Sequence, residues 1–330
     1  MASADRPLVA VVGGDTLLAR EIRDLLGDLK PAPRVELISA AADDSMILAR
    51  EEDEAVVMIP LIAESLEASR VAFLAGSPAS SRRTLKLNPQ DGPMLIDLTG
   101  ALEDQPSARL RAPTAEASHP SPSAIQVIAH PAAIALAQVL STLAGIAPVR
   151  RAIAHVFEPA SERGQRGLDE LQQQTVATLS FQKLKTDVYD AQVAFNLLAR
   201  YGEEALEPLD SVEQRLERHL ASLLSAYPSV PMPSLRLIQA PVFHGHSFSV
   251  WVEFEENPGV DAISRGLEGA GIDVRPDEPP TNVGIAGQNG LAAGAIVQDH
   301  NQPRACWLWM VADNLRLAAE NAVAVAKEAF

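Results

Sequence analysis

Residues 8–12, Leu-Val-Ala-Val-Val, run directly into Gly13-Gly14. A helical pattern follows from about Thr16 to Leu29, with Leu18, Ile22, Leu25 and Leu26 on one side. A short unbroken apolar run bounded by turn residues is the mark of a strand buried on both faces, as in a parallel sheet covered by helices. The first half of the chain repeats this arrangement. Apolar runs at 35–39, 55–59, 71–75, 94–98 and 126–129 read as further strands, and helical stretches alternate with them. This predicts a Rossmann-like, doubly wound parallel sheet. Residues 112–124 are rich in Pro and Ser and read as a loop. His130-Pro131 then opens an apolar helix over roughly 132–145.

The second half has a different period. A strand is expected at 150–157 and helices at 167–183 and 210–226. Residues 236–239 and 247–255 form strands, the latter alternating with period two, and 306–312 make a last strand before a closing helix at 314–329. Alternation predicts an α+β domain with a mixed or antiparallel sheet, one face of which is exposed or paired. The expected division is 1–132, with helix 314–330 packing back on it, and 133–313.

Composition removes several function classes. With 330 residues, 47% hydrophobic and 21% charged, the chain has ample material for two packed domains and is not disordered. Forty-three acidic against 27 basic residues give a net charge of −16, which repels phosphate backbones and argues against nucleic acid. The single cysteine, Cys306, excludes an intrachain disulfide and a thiolate zinc cluster. It reads as a small apolar residue of a buried strand. No apolar run approaches the roughly 18 residues of a membrane span, and residues 1–7 lack an apolar signal core. A cytoplasmic protein is expected.

Several segments, in order along the whole chain, resemble the aspartate-semialdehyde dehydrogenase family. Val-Ala-Val-Val-Gly13 matches its first strand and turn, and Phe73-Leu-Ala-Gly76 the segment below the nicotinamide. Leu95-Ile-Asp-Leu-Thr-Gly-Ala101, Gly167-Leu-Asp-Glu-Leu171 and Val193-Ala-Phe-Asn196 match further motifs. Pro241-Val-Phe-His-Gly-His-Ser247 and Ala312-Asp-Asn-Leu-Arg316 complete the set. The resemblance implies a homodimer that uses NADP and reduces aspartyl phosphate through a cysteine thioester.

The family's reaction-site positions are largely altered here. Its nucleophilic cysteine sits at a helix N-terminus, where amides and dipole stabilise thiolate and oxyanion; Ala133 holds that position. His246 holds the place of the general base. Glu158 stands where the family has a glutamine. Gln239 and Glu103 stand where it has two substrate-binding arginines, although a guanidinium fork suits a carboxylate or phosphate far better. Cofactor-contact positions by resemblance are Gly13, Thr16, Ala19, Ala75, Gly76 and Asn314. Of the family's three loop glycines only Gly13 is kept, Thr16 and Ala19 replacing the others. Ala40-Ala41-Ala42-Asp43-Asp44 also lacks an arginine for a 2′-phosphate, which argues against NADP. Ser77 and Ser80 remain candidates for a ligand contact. His244 and His246 share a strand face, but no third ligand is evident, and no metal is expected.

These residues suggest a catalytically degenerate paralogue of the Usg type. Two alternatives stay open. One is an oxidoreductase of altered chemistry with His246 and Glu158 as acid–base pair. The other is a non-catalytic dimeric binding partner, with its small-molecule ligand unknown.

Overall fold

A computed structural model describes residues 6–41, 47–51, 54–117 and 123–330. The chain divides into two compact units, residues 1–129 with 318–330, and residues 130–317.

The first unit contains β1 (Leu8–Val12), α1 (Leu17–Gly27), β2 (Arg34–Ile38), β3 (Ile47–Glu51), β4 (Glu54–Met58), α2 (Glu64–Glu67), β5 (Val71–Leu74), α3 (Pro78–Leu87), β6 (Met94–Asp97), β7 (Ala108–Arg111) and β8 (Ile125–Ile128). Six strands form a sheet in the order β2-β1-β5-β6-β8-β7, parallel throughout. The five-residue apolar run was a sound guide: Val9 to Val12 and Val71 to Leu74 have no exposed surface. Ala10, Val12, Ile38, Ala72, Leu74, Leu95 and Val127 belong to one apolar cluster. β4 departs from expectation. It joins β3 in an antiparallel hairpin, and Ile59 just past its end meets the parallel sheet through a parallel bridge to Ile38. β7 was also not anticipated, because Ala-Arg-Leu-Arg carries too little apolar surface to read as a strand.

The order reverses between β1 and β5, since β2 lies on one side of that pair and β6 on the other. A switch of this kind opens a crevice at the carboxyl ends of the two strands, where ligands of such sheets bind. Gly13 leaves β1 there and Ala75-Gly76 leave β5.

The second unit begins with α4 (Pro131–Ile146) and β9 (Val149–Glu158). A single 3₁₀ turn (Ala160–Arg163) leads into α5 (Gly164–Leu179) and α6 (Leu209–Leu224). Next come β10 (Ser234–Gln239), β11 (His246–Phe254), α7 (Val260–Gly269), β12 (Asp273–Arg275), α8 (Asn282–Ile285), β13 (Ala292–Gln298) and β14 (Ala305–Ala312); α9 (Asn314–Lys327) follows, and from residue 318 on it belongs to the first unit. The sheet order is β10-β9-β11-β14-β13-β12. β10/β9 and β12/β13 are parallel, and the central pairs are antiparallel. α4, nine of whose residues are buried, packs mainly against α6, α7 and β9.

Alternation along β9 and β11 separates two faces. Ala152, Ala154, Val156, Phe248, Val250 and Val252 are buried. On the other face Ile153, Trp251, Trp307 and Val297 lie side by side across four strands. Ile153 is 37% and Val297 50% exposed.

Candidate functional site

In the first unit, Gly13, Thr16, Ala19, Ala75 and Gly76 come together at the switch-point crevice. Gly13 has φ +84°, and a Cβ there would stand 2.4 Å from the Gly76 Cα. The two glycines therefore let two backbones touch. The Thr16 hydroxyl lies 3.0 Å from the carbonyls of both Gly13 and Ala75 and accepts from the Ala19 amide at 3.2 Å. Thr16 thus works as the N-cap of α1. The Gly13 amide donates to the Ile38 carbonyl at 2.8 Å. These groups are engaged with the protein itself. Ser77 and Ser80 form a capping box at the start of α3. Further along, the buried Asp97 carboxylate accepts from the Thr99 and Leu102 amides and the Thr99 hydroxyl. That turn carries the half-buried Glu103. Ala42, Asp43 and Asp44 lie outside the described residues.

In the second unit a polar cluster forms where three segments end. β9 places Ala152, Ala154, Val156 and then Glu158 on its buried face, so a carboxylate takes an apolar position. His130 is the N-cap of α4. Its Nδ1 accepts from the Ala132 amide at 3.2 Å, and its own amide donates to Nδ1 of His219 on α6 at 2.9 Å. Pro131 suits the first helical position, where no N–H is needed. Gly245, at φ +82°, turns the chain so that His246 enters β11 opposite Ala312.

The two imidazoles lie 5.5 Å apart between ring centres. One ligating atom from each of His130, His246 and Glu158 lies within 4.8 Å of the others. Glu162 approaches His130 Nε2 and His246 Nδ1, each at 3.9 Å. Asn314 ties this corner together. Its Oδ1 accepts from the Gly245 amide at 3.1 Å and the Ser161 hydroxyl at 3.0 Å, and its Nδ2 donates to Glu162 at 2.8 Å. Asn314, expected among the cofactor contacts, is thus placed by the structure with the histidines.

Burial sets the protonation of the cluster. It holds His130 well below the ordinary histidine range, helped by His246 and the nearby Arg215, His219 and Arg163. Burial also lowers His246, against the opposing pull of Glu162 and Asp313. Burial raises Glu158 to about 7, although the Arg163 guanidinium, 3.0 Å away, favours the carboxylate. Both imidazoles are therefore neutral near pH 7.

Gln239 is fully engaged. Its Nε2 donates to the carbonyls of Glu158 at 2.9 Å and Ala240 at 2.8 Å, and its Oε1 accepts from the Tyr201 hydroxyl. Ala133 is wholly buried in the first turn of α4. Cys306 pairs with Val252 at the opposite end of β14 from Ala312. Six residues of strand separate the two positions by about 20 Å.

Sequence reasoning singled out His246 and Glu158 but not Glu162, Arg163 or His219. It read His130 only as part of a turn, and it offered His246 only His244 as a ligating neighbour. The one local signal for Glu162 and Arg163 was a charged pair just after a strand-ending Pro159.

A Rossmann-like parallel sheet continuing into a mixed-sheet unit, with histidine and glutamate at its strand ends, defines a protein of the semialdehyde dehydrogenase class. Residues 140–317 match the semialdehyde dehydrogenase dimerisation domain. A USG-1 protein homolog of Pseudomonas aeruginosa is 31% identical, over 96% of this chain and 95% of its own. An aspartate-semialdehyde dehydrogenase of Rickettsia bellii is 27% identical over 97% and 96%. The solved structure of a probable aspartate-semialdehyde dehydrogenase from Pseudomonas aeruginosa has a TM-score of 0.84 and 27% identity, covering 98% of both chains. The chain belongs to the aspartate-semialdehyde dehydrogenase family.

Proposed function

We propose that this chain is a homodimeric family member that no longer carries out thioester chemistry. The observation that carries the reading is Ala133. A methyl group at the first turn of α4 cannot attack an acyl phosphate or a carbonyl, and Cys306 lies too far along β14 to replace it. Two further features support it. The Gln239 amide is spent on Tyr201, Glu158 and Ala240, and Glu103 presents acid where a phosphate would need a cation. In the nucleotide crevice, Thr16 caps its own helix and the Gly13 amide is bonded to β2, so a claim on NADP rests on the family alone.

The test is an assay with aspartate semialdehyde, phosphate and NADP⁺, alongside calorimetry with NADPH. No turnover above host background is expected, because loss of a covalent nucleophile removes about 10⁶ of rate in a well-studied hydrolase. Ala133→Cys is expected to stay inactive, since neither arginine position is restored. Turnover by the unaltered protein would overturn the proposal. Activity in the single variant would show that the arginine positions are dispensable.

One observation favours a second reading. The fold brings His246 and Glu158 together, and burial raises Glu158 to about 7. Such a pair suits acid–base work on a substrate reduced without a thioester. Micromolar NADPH binding would support this reading, and absence of binding at millimolar cofactor would remove it.

The dimer surface proposed is the outer sheet face bearing Ile153, Trp251, Trp307 and Val297. The Trp251 and Trp307 indoles both donate to Asp299, at 2.7 and 3.1 Å, which fixes the rings as a flat apolar row. Half-exposed aromatics over a rigid sheet are characteristic of interface cores. Sedimentation at micromolar protein should return a dimer, and Ile153→Asp should shift it to monomer. A monomeric unaltered protein would refute this assignment.

A further inference from the structure

His130 Nε2, both ring nitrogens of His246 and the Glu158 oxygen not paired with Arg163 are buried without a hydrogen-bond partner. Buried polar atoms ordinarily find partners, and a cluster with one such atom from each of three residues calls for something between them. The three groups offer ligating atoms within 4.8 Å of one another. An atom equidistant from three such corners would lie about 2.8 Å from each at most, and zinc ligands stand at about 2.0–2.2 Å. A contraction of no more than about 0.8 Å would therefore close the site.

We propose that His130, His246 and Glu158 form a divalent metal site of the zinc type, with Glu162 as its fourth donor. The fold supplies what such a site needs. Glu162 faces both rings at 3.9 Å and is oriented by Asn314, as ligating carboxylates commonly are by an outer hydrogen bond. Two carboxylates balance a dication. Arg163 holds one oxygen of Glu158 at 3.0 Å, leaves the other free, and is itself paired with Glu207 at 3.1 Å. Glu162 is the most exposed of the four and marks the side of entry.

Two imidazoles select zinc, cobalt or nickel over magnesium and calcium. Binding has a structural cost that can be named. His130 Nδ1 accepts from the Ala132 amide, so its proton sits on Nε2. Coordination through Nε2 shifts that proton to Nδ1 and releases the amide at the start of α4. Zinc should therefore perturb the first turn of α4 as it binds. None of this depends on the proposed loss of thioester chemistry, and the test shares no step with the turnover assay.

The experiment is titration of the chelator-treated protein with Zn²⁺, Co²⁺ and Mg²⁺, read by calorimetry, melting temperature and the Co²⁺ absorption spectrum. One Zn²⁺ per chain should bind and raise the melting temperature, and Co²⁺ should give tetrahedral visible bands. Mg²⁺ should do neither. His130→Asn keeps a good N-cap and should weaken Zn²⁺ binding at least tenfold, as should His246→Gln, while His244→Ala should change nothing. Circular dichroism confirms that each variant is folded. No 1:1 binding, equal response to Mg²⁺, or full affinity in folded His130→Asn would each overturn the site. Should His246→Gln fail to fold, the Co²⁺ spectrum of the unaltered protein decides alone: octahedral, weakly coloured cobalt would refute the proposal.

Discussion

Gly13→Ala is expected to destabilise the first unit by about 3 kcal/mol or more, a large share of the roughly 5–15 kcal/mol that holds an ordinary protein folded. The added Cβ would stand 2.4 Å from the Gly76 Cα, 2.6 Å from its nitrogen and 3.1 Å from the Ala75 carbonyl carbon. All three are backbone atoms, so no side chain can move aside. The residue also sits at φ +84°, where an L side chain carries its own penalty of about 1–2 kcal/mol. Relief would require β1 and β5 to part, yet the Ala75 amide is bonded to the Val12 carbonyl at 2.9 Å. Urea denaturation followed by circular dichroism measures the loss. Gly27→Ala is the control: nothing lies within 4 Å of the new Cβ at the end of α1, and helix propensity favours alanine by up to about 1 kcal/mol. A Gly13→Ala variant within 1 kcal/mol of the unaltered protein would show that the two loops are not locked together.

This contact also bears on function. In a phosphate-binding turn, glycines let a ligand approach the backbone. Gly13 serves instead to let the β5 turn approach, and Thr16 reaches over to the same turn. The crevice geometry survives because it is needed to pack the sheet. A retained glycine is therefore weak evidence for a retained nucleotide.

The fold was legible wherever one period ruled a segment. The Leu8–Val12 and Val71–Leu74 runs have apolar residues on both faces and could only be interior strands. The Ser247–Glu255 alternation gave a two-faced strand, with Trp251 on the outer side. β13, Ala-Ala-Gly-Ala-Ile-Val-Gln, was not read. Small residues carry little β signal, and its strand geometry comes from pairing with β14, a long-range contact. β4 was legible as a strand, but its hairpin with β3 was not, since strand propensity does not name a neighbour.

The site was less legible for the same reason. His246 and Glu158 were located through family resemblance, and Ala133 by the motif around it. Glu162 acquires its role only because Asn314, some 150 residues later, turns it toward two rings that belong to other segments. His130 reads as half of a His-Pro turn until the helix cap and β11 bring it beside His246. No spacing rule links positions 130, 158 and 246; they meet because three elements end at the same place.

Arg111→Ala is expected to cost about 3 kcal/mol and to release the end of α9, in keeping with the loss of one partner from a buried ion pair. Arg111 is 1% exposed although it lies on the edge strand β7. Its guanidinium makes a two-pronged contact with Glu328, at 3.1 and 2.6 Å, and its Nε donates to Glu116 at 3.0 Å. Burial disfavours the charge on Arg111, but the bonds to Glu328 and Glu116 outweigh it and raise its pKa. Removing the arginine leaves Glu116, whose carboxylate is 10% exposed, beside the Ala112 amide with no cation. Glu328 is 41% exposed, so water can take over its charge, and Glu328→Gln should cost only about 1 kcal/mol. Arg111→Lys should recover part of the loss, because an ammonium keeps the charge but not the fork. Urea midpoints rank the three variants, and hydrogen exchange over residues 318–330 reports whether the helix end has loosened. An Arg111→Ala variant with the unaltered midpoint and unchanged exchange would show that apolar packing alone holds α9 in the first unit.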